Sequence, residues 1–546
     1  MSEKSERQIT DNSSIFEHLA PVSLLLLLAA ALRLVSLSRE PMLNPDGIAY
    51  ILQAKAFYLH QAEQFLNVYP YPTNLSLMIA GIYGFIGDWV VSGQIVSIFF
   101  SLLTIIPFYF LNRIFWNRQT AFTIVILYVA SPLFIELSHE IIRGPQFWFF
   151  LSLGLWAFCY FMEKENRPGY LLIISSTAFI MTAWSRIEGL LPLLLGAGWL
   201  IFDYRFRKPR YLVAYFLPIL LIFLFSGLLS LNIDLPKALL HGFVGRLDAA
   251  INRFQWLRNA LLNLELSPPL GVVPDFFDKA RDLIWFLALG VTSHCLIKTF
   301  GIIFFPLTIF GIVKIPNFKP IFNSKKRPLL FLILLLLSGL TVIYIQILLN
   351  WSSSERFVAL IYFPGLIFAG YGFNKLFAFW HQLKPDSHPA SYLWLCLLLL
   401  LFALPSVVDS GNRIRSLVFK ELGLHLAEIP ATTHGLHLCG TSKKILYTHF
   451  YAQLEKPELS SPWEQCDIIK VSDLTPDFLV NTSYDYLILS DRDGGRQRLL
   501  EIMAERKEAN FSVLFEKRCD KYGKIYLFGQ LKSGNPRKIL KTGDKD

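Results

Sequence analysis

Leu32-Arg33-Leu34-Val35-Ser36-Leu37-Ser38-Arg39-Glu40-Pro41-Met42-Leu43-Asn44-Pro45-Asp46-Gly47-Ile48-Ala49-Tyr50 marks the point where an apolar block ends and a polar loop opens. Upstream, residues of about 18–37 form an unbroken apolar run, long enough as a helix to cross a hydrocarbon core of ~30 Å. Downstream, Pro45 reads as the first position of a new helix. Asp46 then lies where a helix N-terminus favours a carboxylate. Asn44 and Asp46 beside a proline also make a good helix cap, and spacing alone supports both readings. Tyr50, four residues on, shares the helix face of Asp46, and Lys55 follows at nine.

The same apolar block recurs along the chain. Of 546 residues, 53% are hydrophobic and 15% aromatic, only 17% are charged, and mean hydropathy is +0.44. Soluble chains carry about 25% charged residues. The spacing predicts eleven spans, at about 18–37, 92–111, 120–137, 146–162, 170–185, 188–203, 211–231, 296–314, 329–349, 358–379 and 391–408. They must be helices, because lipid cannot satisfy backbone polar groups. The first block lacks a small-residue cleavage site and reads as a retained anchor.

Loop charge gives direction. With the N-terminus cytoplasmic, Arg113 and Arg118, Lys164 and Arg167, Arg205, Arg207, Lys208 and Arg210, and Lys319, Lys325, Lys326 and Arg327 all fall on one side. The net charge of +10 is thus a topology signal and requires no nucleic-acid partner. The expected location is the inner (plasma) membrane. Residues 1–409 would form the membrane domain, with external loops at 38–91 and 232–295, and 410–546 an extracytoplasmic α/β domain. In that domain Asp485–Ser490 and Lys524–Phe528 read as buried strands, and Gly494–Asn510 as a turn and helix. Cys439, Cys466 and Cys519 lie there, either with one pair bridged or as three thiols. The last dozen residues read as a disordered tail.

External helix ends collect ionisable groups, which are costly at membrane depth and usually functional. Tyr71-Pro-Thr-Asn-Leu75 and Gly87-Asp88 lie in the first loop and Ser97 in the second span; Ser131-Pro-Leu133, Ser138-His-Glu140 and Arg143-Gly-Pro145 form the second external segment. Ser185-Arg-Ile-Glu-Gly189 and Ser354-Glu-Arg356-Phe357, then Pro364-Gly365, complete the series. In order and sidedness the chain resembles the GT-C membrane glycosyltransferases, most closely the protein O-mannosyltransferase and aminoarabinose transferase branch. The likeness covers nearly the whole length, small C-terminal α/β domain included.

The resemblance implies a polyprenyl-phosphate sugar as donor. It implies Asp46 as the catalytic carboxylate, orienting or deprotonating an acceptor hydroxyl. Guanidinium suits a departing phosphate through its paired donors, which points to Arg186, Arg356 and then Arg143. Tyr50, Lys55, Glu140, Glu188, His241 and Arg246 are supporting candidates, Glu188 as the partner that orients Arg186. As end-of-span residues, Arg186 and Arg356 are equally readable as interface anchors, and Arg143 as structural. The pattern departs from the family at two acidic positions: Gly47 follows Asp46, and Gly144 stands where many relatives carry an acid. A divalent metal ion is the one cofactor left open.

No Gly-x-x-x-x-Gly-Lys-[Ser/Thr] loop, His-Glu-x-x-His or Cys-x-x-Cys pair occurs, so ATP-driven transport is not expected. The competing expectations are a transporter or flippase for lipid-linked sugars, and a non-catalytic assembly protein with the same fold.

Overall fold

The computed structural model describes residues 3–39, 42–61, 72–164, 168–203, 205–230, 235–313, 325–351, 355–383, 417–429, 436–456, 461–481, 484–505, 511–519 and 523–530. The expected span at 391–408 and the C-terminal tail lie outside them. The chain forms two compact units. One comprises residues 1–36, 70–75 and 94–408; the other, 37–69, 76–93 and 409–546.

The first unit is helical. Its elements run α1 (Glu3–Ser38, shared at its end with the second unit), then α2 (Pro45–Tyr58), α3 (Asn74–Ile86) and the start of α4 (Trp89–Leu103) in or at the edge of the other unit. They continue with α5 (Ile105–Phe115), α6 (Arg118–Val129), α7 (Pro132–His139), α8 (Gly144–Glu163), α9 (Tyr170–Ser185), α10 (Leu190–Phe202), α11 (Pro209–Ser230), α12 (Leu235–Leu266), α13 (Pro274–Asp282), α14 (Ile284–Val313), α15 (Lys326–Asn350) and α16 (Ala359–Leu383).

Five described helices are long and apolar enough to span by themselves: 19–38, 89–115, 144–163, 326–350 and 356–373. Two bent pairs raise the number to seven. One joins α6 and α7 at 58° across Ser131-Pro132, where proline withholds an N–H and breaks the helix. The other joins α13 and α14 at 71°. The expected count of eleven is not reproduced. Helices α9 and α10 stand where spans were expected, but sixteen and thirteen residues reach only about 24 and 20 Å. Within the segment 232–295, α12, α13 and the first turns of α14 are helical, so His241 and Arg246 sit on a helix.

Aromatic packing fills the core of this unit. Phe134 contacts Trp148 and Tyr362 at 4.5 Å between ring centroids, and Phe108 contacts Phe363 at 4.9 Å. Helices α14 and α16 touch backbone to backbone at Gly311 and Gly372, where an added Cβ would lie about 2 Å from a carbonyl oxygen of the other helix. Arg33, fully buried in α1, donates from Nε to Ser101 Oγ at 2.8 Å and from Nη1 to Ala29 O at 3.3 Å, and faces the Tyr128 ring at 5.5 Å.

The second unit carries a five-stranded sheet ordered β2-β1-β3-β5-β4, from β1 (Leu438–Gly440), β2 (Cys466–Ile468), β3 (Tyr486–Ser490), β4 (Phe511–Cys519) and β5 (Gly523–Gln530). The first three are parallel; β5 runs antiparallel to both β3 and β4. All five residues of β3 are buried, as an apolar run within a covered sheet requires. The helices here include α17 (Leu417–Glu428), α18 (Ile445–Gln453) and α19 (Gly495–Glu505). Cys439 and Cys466, on neighbouring strands, are buried thiols, and Cys519 is a thiol as well, which removes the bridged alternative. Burial pushes both buried thiols up to about 12.

His449, fully buried on α18, is held neutral: burial, with the charges of His437 and Lys456, lowers it from 6.5 to about 4. A depressed folded-state value means that stability is fully present above pH 6.5 and is lost as pH falls through 4, by on the order of 3 kcal/mol when titration is complete. Hydrogen exchange of β1 and β3, corrected for intrinsic rates, should show protection falling across that window. His449→Phe should flatten the fall; an unchanged profile would remove His449 as its cause.

Candidate active site

The turn between α9 and α10 carries a compact group of charges. Arg186 leaves the helix in an extended conformation, and Ile187–Gly189 form one 3-10 turn. The guanidinium grips Glu188 through two donors, Nη2 to Oε1 at 3.2 Å and Nε to Oε2 at 3.4 Å, with both side chains largely buried. Its flat face lies over the Phe357 ring at 4.5 Å and near Phe147 at 6.0 Å. Arg143, at the start of α8, adds a second positive charge acting on Glu188. Arg356 adjoins Phe357 in a 3-10 turn before α16. Thus Arg143, Arg186, Glu188 and Phe357 gather at one place, and Glu188 does orient Arg186. The same end of α9 is tied to the segment before α3, by Asn74 Nδ2 donating to Ser185 Oγ at 2.7 Å and Trp184 Nε1 to Pro72 O at 2.9 Å.

Gly189 explains why the Arg-x-Glu run ends in glycine. A Cβ there would stand 2.4 Å from the backbone of Thr182 and Ala183, which cannot yield as a side chain would. The charged pair therefore rests on a turn that only glycine can close.

The second external segment is built differently from its helical expectation. Glu140, buried and extended, ends α7, and Ile142 N donates to its carbonyl at 2.9 Å before α8 begins. Glu140 and Gly144 are thus not one helical turn apart, and Glu140 is not carried round to the position of Gly144. A Cβ at Gly144 would already stand 3.2 Å from Trp148 and 3.3 Å from Ile142, so a longer side chain there needs those neighbours to move. Among the described residues no three His, Cys, Asp or Glu side chains group to hold a metal ion. A divalent ion finds no carboxylate cage there.

In the second unit, Asn44 caps α2, its Oδ1 accepting from Gly47 N at 3.1 Å. Asp46 stands exposed in the first turn, while Tyr50, four residues on, is buried. Ser76 Oγ donates to Tyr50 O at 2.9 Å, joining α3 to α2. Lys55 turns to the C-terminal end of α18, donating to Gln453 O and Leu454 O at 3.1 Å each and to Lys456 O. A cation at a helix C-terminus satisfies its last carbonyls. Burial lowers this ammonium to about 8, with Glu455 working against the shift. The side chains of His241 and Arg246 lie outside the described residues.

Sequence reading assigned no role to Asn74, Phe147 or Phe357, apolar or neutral groups with no signal of their own. Arg33 did carry one, as a lone arginine inside a span.

No protein-family model and no curated protein matches the chain at the level of sequence. Solved structures do. AglB, the oligosaccharyltransferase of Archaeoglobus fulgidus, in complex with an inhibitory peptide and a dolichol-phosphate, aligns over 96% of this chain and 75% of its own, with a TM-score of 0.50 and 11% identity. Its apo form aligns over 93% and 74%, at 0.51 and 12%. The fold is that of the GT-C glycosyltransferases. ArnT of Cupriavidus metallidurans, bound to undecaprenyl phosphate, aligns over 94% and 99% at 11% identity, but its TM-score of 0.44 adds no weight. The alignment with AglB takes in both the helical unit and the small C-terminal sheet.

Gly189→Ala should lower stability by about 1–3 kcal/mol through overpacking against backbone, read as a reduced Tm in detergent. Gly290→Ala, with open space at its Cβ position, is the control; equal Tm values for both variants would refute the steric reading of the turn.

Proposed function

We propose that the chain is a membrane glycosyltransferase that moves a sugar from a polyprenyl-phosphate carrier to an acceptor hydroxyl on the extracytoplasmic face. The observation that carries this reading is Asp46, an exposed carboxylate at a helix start whose capping is done by Asn44. The dolichol-phosphate held by the Archaeoglobus enzyme supports a polyprenyl-phosphate partner. Fold alone does not assign chemistry, so the roles rest on the groups themselves.

The acceptor oxygen attacks the anomeric carbon while Asp46 takes its proton. The bond from that carbon to the phosphate oxygen breaks, and the electron pair leaves on the phosphate. Arg186, Arg356 and Arg143 supply the positive charge that meets it. Glu188 and the rings of Phe147 and Phe357 keep the Arg186 fork in one orientation, so little is lost in reorganisation. Tyr50 helps set the helix that presents Asp46, and Lys55 anchors its far end. A single displacement inverts the anomeric centre, in keeping with the absence of a second carboxylate placed as nucleophile. The acceptor is a glycolipid, polysaccharide or protein.

A second reading, a non-catalytic assembly protein of the same fold, is favoured by one feature: the position of the missing acid is closed by Trp148 and Ile142.

The two readings separate in a host lacking the gene. Mass spectrometry of glycolipids and envelope proteins should show one sugar increment restored by the wild type. A normally expressed Asp46→Asn should fail to restore it, with turnover down by roughly 10²–10⁴-fold. Equal restoration by both would dismiss Asp46 as the catalytic base and favour the assembly role.

A further inference from the structure

The connection between α12 and α13 turns its apolar side chains outward. Val272 N donates to Pro269 O at 3.1 Å and Gly271 takes φ +85°, a tight turn that glycine closes without strain. Leu270 stands at its tip, fully exposed, and Val273 and Phe276 beyond it are 64% exposed each.

At 100° per residue the side chains of α13 fall into three faces. Phe277 is buried, and Arg281, one turn on, is held by Glu265 of α12 and by Asp278 at 2.6 Å, so this face is turned to the protein. Asp275, Lys279 and Asp282 share a second face, which is exposed. Phe276 and Leu283, seven residues apart, share the third, with Val273 just ahead of it; this face is exposed although apolar. A helix surrounded by water gains nothing from such a face, whereas one lying in a membrane interface needs an apolar side and a polar side.

The direction of α13 fits the same place. It meets the first part of α14 at 71°, so where α14 crosses a bilayer α13 lies close to the membrane plane. At thirty residues α14 extends about 45 Å, which matches the ~40–45 Å of a bilayer with its headgroup layers and exceeds the ~30 Å of the hydrocarbon core. Its first turn, where Trp285 and Phe286 are exposed, therefore stands at headgroup level, the usual depth of interfacial aromatics. Leu283 joins that lipid-facing surface to the apolar face of α13.

We propose that the α12–α13 connection is a membrane-interface anchor, with Leu270, Val273 and Phe276 seated in one leaflet at the boundary between headgroups and acyl chains. The inference depends on α14 crossing a membrane, and not on the transferase reading.

The full chain in single-copy nanodiscs of phosphatidylcholine tests this, with an environment-sensitive nitrobenzoxadiazole dye attached through Leu270→Cys, Phe276→Cys or Lys279→Cys. The unsubstituted chain, carried through the same labelling, gives the background. At positions 270 and 276, lipids spin-labelled near the top of the acyl chain should quench the dye and aqueous iodide should not; at 279 iodide should quench it. A phosphatidylcholine with a diazirine high on its acyl chain should also label residues 270–276 of the unsubstituted chain, so the outcome does not hang on the variants. Equal iodide quenching at all three positions, stronger quenching by lipids spin-labelled near the chain end, shielding that appears only in two-copy discs, or no lipid adducts on 270–276 would each overturn it.

Discussion

Every backbone polar group that enters hydrocarbon has to be satisfied within the chain, and the rest of this structure follows from that demand. It makes the apolar blocks helices, and it confines irregular backbone to the places where helices stop. Among those places are the break at Ser131-Pro132, the bend Glu140–Arg143, and the turn Arg186–Gly189. Arg143, Arg186 and Glu188 stand on or beside them. The charges are grouped because the membrane leaves them nowhere else to be. Arg33 lies inside a span, and it is accommodated by Ser101, a carbonyl of its own helix and the face of Tyr128.

The second unit obeys a different economy. Its parallel strands need cover on both faces, and its helices need their ends satisfied. Lys55 answers the second need for α18, and since it belongs to the helix that begins at Asp46, the position of α2 is set partly by a carbonyl cluster nearly four hundred residues away. The stack of Tyr83 on Trp89 at 3.5 Å, with Tyr58 edge-on to both, packs against the same C-terminal end of α2. A carboxylate meant to act on a substrate benefits from a helix whose far end is held.

Composition and loop charge made the class legible, and the closeness of Arg186 and Glu188, two residues apart at a helix end, made their pair legible. The strands at 486–490 and 523–530 were readable as apolar runs. Bends and short helices were not, since hydropathy measures apolar length and is blind to a 58° kink at a proline. Within 232–295, α12 is too polar to register as a span, and α13 with the start of α14 passes only as a bent pair. The partner of Lys55 was beyond reach for a plainer reason: no local pattern encodes a contact across that separation. Asn44 and Asp46 were both plausible caps in sequence, and only geometry could tell which oxygen meets Gly47 N.

The acid-poor character of the site has a packing cause. Trp148 is almost fully buried against Phe134, and its ring, with Ile142, takes the room that a side chain on residue 144 would need. An acid introduced there would need Trp148 and Ile142 to shift by a few tenths of an ångström or more. The chain has therefore fixed a bulky aromatic where a carboxylate pair would otherwise assemble, and the burden of proton transfer in the proposed reaction falls on Asp46 alone. With one carboxylate and several guanidiniums, the chemistry that remains natural is a single displacement: one base to take a proton from the acceptor, and distributed positive charge to receive the departing phosphate.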